Sequence, residues 1–115
     1  MEQHNRIELR GNVGSVTLRE ISGKLMARII LATNYAYKDK TGAAVIDTTW
    51  HNIVAWQSRD IKNLEKIERG TKLHVIGRLR NQKYIGQDEQ ERTSTDVVAS
   101  TLSIIEGSEQ LQCEF

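Results

Sequence analysis

At 115 residues with 38% hydrophobic content, the chain has room for one modest core and no second domain. Cys113 is the only cysteine and proline is absent, which excludes an intrachain disulfide framework and a cysteine-based metal site. No apolar run approaches the ~18 residues of a membrane span, so a cytoplasmic protein is expected. The net charge of +1 hides an asymmetry: residues 1 to 83 hold 15 of the 16 Lys and Arg against 8 acids, a net of +7, and residues 84 to 115 carry −6. A basic body of this kind suits a polyanionic partner.

Along the chain, "RIELRGNVGSVTLREI" alternates apolar and polar positions around Gly11 and Gly14, which predicts a long first strand with a bend or bulge. Ser22 and Gly23 supply a turn into a second strand, "KLMARIILATNYAY". The run "KDKTGAAVI" from Lys38 reads as a loop or hairpin tip leading into "DTTWHNIVAWQ". Because side chains alternate along an extended chain, Trp50, Asn52, Val54 and Trp56 share one face of that third strand and His51, Ile53 and Ala55 the other. At about 3.3 Å per residue the two indoles stand roughly 20 Å apart, the spacing of two separate contacts along a surface.

The period then changes. In "SRDIKNLEKIERG", Ile61, Leu64 and Ile67 recur at helical spacing, with Ser58 or Asp60 available as a cap and Gly70 as a stop, which predicts the one short helix. "TKLHVIGRLRNQKY" returns to alternation, with Leu73, Val75, Gly77 and Leu79 on one face and a largely polar, basic face opposite. A hydrophilic loop, "IGQDEQER", precedes the last strand, "TSTDVVASTLSII". Three strands, a helix and two strands make an all-β protein in the order of the OB-fold, a five-stranded Greek-key barrel that commonly binds oligonucleotides or oligosaccharides. Residues 1–106 are assigned to the barrel and 107–115 to a short flexible tail.

Catalytic chemistry finds little support. His4, His51 and His74 are scattered over different elements, and no HxH, HExxH or CxxC spacing occurs. "GNVG" at Gly11 to Gly14 has no helix start behind it to present amides to a phosphate. Neither an enzyme nor a cofactor or metal is expected. Aromatic and basic positions point elsewhere. Of six aromatic residues, five are Tyr35, Tyr37, Trp50, Trp56 and Tyr84, grouped with Lys38, Lys40, Arg80 and Lys83. Flat π-faces for bases beside cations for phosphates are what sequence-tolerant binding of a single nucleic-acid strand requires.

The segments "NRIELRGNVG", "LATNYAYKDKTG", "TTWHNIVAW", "LEKIERGTKLHVIGRLRNQKY" and "TSTDVVASTLSII" occur in the order found in bacterial single-stranded DNA-binding proteins, and the chain resembles that family from about Asn5 to Ile105. The resemblance implies single-stranded DNA as partner, with base stacking on Tyr37, Trp50, Trp56 and Tyr84 and phosphate contacts from Lys40, Arg80 and Lys83. Asn52 and Gln82 stand where some members carry arginine. It also implies a homo-oligomer, a homotetramer or dimer, with Arg6, Glu8 and Arg10 near a subunit interface. Members usually end in a long linker and an acidic tip that recruits replication and repair proteins; "LQCEF" has neither the linker nor a run of aspartates, which leaves that recruitment without support. The alternative reading is a primosomal replication protein of the same fold, acting mainly on other proteins.

Overall fold

A computed structural model describes residues 3–105. The segment assigned to a flexible tail, 107–115, lies outside the described residues. Five strands, β1 (Ile7–Ile21), β2 (Lys24–Lys38), β3 (Ala44–Trp56), β4 (Lys72–Ile85) and β5 (Glu91–Ile104), close into a barrel in the order β1-β2-β3-β5-β4. All neighbours are antiparallel except β3 and β5, whose parallel seam consists of two residue pairs, Ile53 with Val97 and Val54 with Val98. This is the expected five-stranded OB-type barrel.

Its interior follows from the alternation. Ala27, Ile29 and Leu31 of β2, Ile53 and Ala55 of β3, Leu73 and Val75 of β4, and Val97 and Leu102 of β5 point inward and are buried together. Closure depends on two close approaches, of Gly11 to the Ala32 carbonyl and of Gly77 to the Val98 carbonyl. A Cβ added at Gly77 would come within 2.2 Å of the Val98 carbonyl oxygen, beside the irregularity where β4 and β5 shift register between Ile76 and Gly77. The bend expected in β1 is a bulge: Val13 pairs with Leu31 and Ser15 with Ile30, so Gly14 is the extra residue.

Two expectations change. Residues 58–70 do not form an α-helix but a chain with a single 3₁₀ turn at Leu64–Lys66. Its leading residue is Asn63, in the left-handed region at φ 62°, with neither Ser58 nor Asp60 acting as its cap. Ile61, Leu64 and Ile67 are nevertheless buried in the core. A chain that returns an apolar residue to the barrel every third position satisfies the same spacing as a helix. Ile61 instead bridges β5 at Leu102, and hydrogen bonds from Val13 to the Thr71 carbonyl and from Gly70 to the Val13 carbonyl hold the segment's end against β1. The second change is Leu79, which shares the inward-facing parity of Leu73 and Val75 yet is 45% exposed, because β4 has by then left the barrel.

Beyond the barrel, two hairpin arms project. Past Ala32, β2 pairs only with β3, and past Gly77, β4 pairs only with β5. The stretch expected as a loop or hairpin tip is the tip of the β2–β3 hairpin, with a tight turn at Asp39 to Gly42, where the Asp39 carboxylate accepts from the Thr41 and Ala43 amides and the Thr41 hydroxyl. These bonds, the Thr41 hydroxyl foremost, hold the Asp39 carboxyl below its usual pKa. The second arm closes similarly, with Arg92 donating to Asp88 at 2.7 Å and lowering that carboxyl's pKa.

Candidate nucleic-acid interface

The outer face of β3 carries Trp50, Asn52, Val54 and Trp56, opposite Ala32, Ile30, Arg28 and Met26 of β2. Both indoles are accessible, Trp50 at 59% and Trp56 at 37%. Trp50 lies across small residues: it pairs with Ala32, and its ring reaches over β2 to the bulge in β1, where a Cβ at Gly14 would stand 2.5 Å from Cζ3. The far edge of the indole is thus held at the bulge while most of the residue stays open to solvent, which leaves ring surface for stacking a base.

Between the barrel wall at β2 and β3 and the β4–β5 arm runs a cleft of about 390 Å³. Arg28, Asn52 and Val54 form the β2–β3 wall, and Gln82, Tyr84, Ser94 and Asp96 the β4–β5 wall. The register explains the second wall: Arg80 opposes Asp96, Gln82 opposes Ser94 and Tyr84 opposes Arg92, so all six share one face of that arm. Arg80 donates to the Gln82 side-chain oxygen at 3.3 Å and lies 4.0 Å from the buried Asp96 carboxylate, which holds the guanidinium at the cleft edge.

Of the residues expected to contact DNA, the structure gathers Asn52 and Tyr84 into this cleft, with Arg80 adjoining and Trp50 and Trp56 flanking Asn52 along β3. Lys40 stands in the exposed turn of the first arm. Lys83 takes the opposite face of β4 from Tyr84, with its ammonium 3.6 Å from Glu91. Tyr37 is also set apart. It opposes Val45, and Tyr35 opposes Asp47, so both tyrosines continue the inward-facing parity of Ile29 and Leu31 on the face of the arm away from Trp50. Arg28 and Gly14 escape a reading of the sequence, because only the pairing of β1 and β2 with their neighbours brings them to the tryptophan face.

Further back on the inner parity, His51 Nε2 meets the Thr33 hydroxyl at 2.8 Å, and burial pushes its pKa down. On the barrel side, Glu8 and His74 make a 2.6 Å contact, and that hydrogen bond lowers the Glu8 pKa. Among the described residues no helix is long and apolar enough to cross a membrane.

Comparison with known proteins places this geometry in context. The single-stranded DNA-binding protein of Xanthomonas campestris is 34% identical over 105 residues, covering 90% of this chain and 61% of that protein. The corresponding Rhizobium meliloti protein is 32% identical over 111 residues, with 90% and 64% covered. The chain thus spans less than two thirds of the length of these relatives. Among solved structures, the Plasmodium falciparum SSB in complex with ssDNA superposes with a TM-score of 0.78 at 26% identity, covering 92% of this chain and 98% of that one. A deletion mutant of the single-stranded DNA binding protein from Thermus aquaticus shares the fold at a TM-score of 0.71 and 22% identity, covering 90% of this chain and 51% of that one. The model of the single-strand binding protein family matches residues 4–105. Because that match runs from the lead-in to β1 through the end of β5 and takes in every strand of the barrel, the chain belongs to the single-strand binding protein family.

Proposed function

We propose that the protein binds single-stranded DNA without strong sequence preference and protects it during replication, recombination or repair, by stacking and charge rather than by catalysis. Trp50 carries the reading: an indole held at its edge against the Gly14 bulge and still mostly exposed is a platform for a flat ring, and burying a core is not its role. Trp56, Tyr84 and Tyr37 supply further rings, Arg80, Lys40 and Lys83 meet phosphates, and Asn52 borders the path in the cleft between the barrel wall and the β4–β5 arm. The family relatives are named for binding this ligand, and the Plasmodium falciparum neighbour was solved with it. The protein works as a homo-oligomer in the bacterial cytoplasm, where single strands are exposed. No observation favours the primosomal alternative.

Titration with oligothymidine while following tryptophan emission tests this. Strong quenching is expected, with Trp50→Ala and Trp56→Ala each costing on the order of 1–3 kcal/mol and duplex DNA of equal length binding far more weakly. Emission unchanged at saturating oligonucleotide would reject the reading.

A further inference from the structure

Tyr35 is the most exposed aromatic residue among those described, at 66%, and its ring centroid stands 6.1 Å from that of Tyr37 with the planes tilted by 31°. The two rings are neighbours because positions two apart on a strand share a face. That face is the continuation of the barrel's interior parity beyond the end of the core, and both rings stay exposed there, Tyr37 at 41%. Across the arm, Tyr35 opposes Asp47 and Tyr37 opposes Val45. A tilted pair of this kind gains a little from ring–ring contact, and two-thirds exposure leaves Tyr35 little else to stabilise.

Position along the arm adds a second argument. Trp50 opposes Ala32, so Tyr35 lies three residues beyond the level of Trp50 and Tyr37 five. A strand that leaves Trp50 for Tyr37 passes the level of Tyr35 on the way. The 6.1 Å between the tyrosines is nearly twice the about 3.4 Å base spacing along one strand of a duplex, so successive bases of an extended, unstacked strand can each meet one ring. Lys38 and Lys40 stand at the outer end of the same arm for the phosphates. Asp47 stands directly opposite Tyr35 and repels phosphate at that level, so the backbone must run on the lysine side of the rings.

We propose that Tyr35 is a base-stacking residue, forming with Tyr37 a two-ring platform that carries single-stranded DNA along the face of the β2–β3 arm opposite Trp50. The proposal rests on the single-stranded DNA reading above.

The test compares Tyr35→Phe, Tyr35→Leu and Tyr35→Ala with the unaltered protein, following tryptophan quenching by oligothymidine and solution mass. Phe keeps the ring and should bind as before. Ala should weaken binding on the order of five- to a hundredfold, and Leu, which retains apolar bulk against Tyr37 without a π-face, should lose nearly as much. Ultraviolet crosslinking to an oligonucleotide bearing 5-iodo-deoxyuridine, followed by peptide mass spectrometry, should place an adduct on Tyr35. Full affinity in the Leu variant would make Tyr35 a buttress for Tyr37 and overturn the proposal, as would full affinity in the Ala variant. A change of solution mass in the DNA-free Ala variant would make it a contact between copies, with the same consequence. Absence of quenching in the unaltered protein would reject the parent reading, whereas normal quenching there with no loss in the Ala variant would reject only this one.

Discussion

Gly14 and Trp50 are in contact although they sit on strands that do not pair with each other: the indole crosses β2 above Ala32 and rests where a side chain at Gly14 would be. The β1 bulge is thus part of the candidate DNA surface as well as a bend in the barrel. In Gly14→Ala the new methyl would sit 2.5 Å from Cζ3, and the distal ring atoms can yield where backbone cannot. We expect the variant to fold with an unchanged melting temperature, to show altered near-ultraviolet dichroism from a displaced indole, and to lose up to the 1–3 kcal/mol of one stacked base. Binding equal to the unaltered protein with unchanged dichroism would show that Trp50 does not depend on this bed.

Two cations of the β4–β5 arm, Arg80 and Lys83, differ in their restraint, which separates them in a salt titration. Arg80 is held by Gln82 and Asp96 at the cleft, and Arg80→Ala should weaken binding and make the log affinity against log salt slope shallower by roughly 0.7, the share of one phosphate on a single strand. Lys83 is partly neutralised by Glu91, both being exposed. Glu91→Ala should therefore strengthen binding at low salt and leave it unchanged at high salt, where exposed charges are screened. A gain that persists at high salt would point to a role for Glu91 other than charge.

His51 predicts a pH dependence of stability. Burial lowers its pKa in the folded protein, so as pH falls through about 6.5 the unfolded chain takes up the proton first. The sign is a loss of stability on acidification, present above that pH and declining below it. The melting temperature should fall between pH 7.5 and 5.5, and His51→Gln, which can still bond to Thr33, should flatten the curve. The lowered carboxyls Glu8, Asp39 and Asp88 act in a separate window, below their ordinary values of 4.5, 3.8 and 3.8. An identical slope in the variant would assign the effect to another group.

Leu64 has no exposed surface and holds the segment between β3 and β4 in the core with Ile61 and Ile67. Leu64→Ala should cost about 2–5 kcal/mol, read as a lower urea midpoint. It does not line the cleft, so the folded fraction should bind oligothymidine with the original affinity. A stability loss below about 1 kcal/mol would show that the segment collapses into the space left behind.

What the sequence determined by itself was whatever one strand encodes locally. Alternation placed Trp50, Asn52 and Trp56 on one face and Ile53 and Ala55 on the other, and the glycine-interrupted first strand announced its bend or bulge. It could not distinguish a helix from a chain that drops Ile61, Leu64 and Ile67 into a barrel at the same spacing, because both satisfy a three-residue return of apolar side chains to one side. Nor could it join Gly14 to Trp50, bring Arg28 to Asn52 and Tyr84, or set Tyr35 and Tyr37 on the face away from the tryptophans. Those relations depend on which residue opposes which across β1–β2, β2–β3 and β4–β5. Register is set by burying whole faces of several strands at once and by single bulged residues such as Gly14, so it is a property of the closed barrel and not of any one segment.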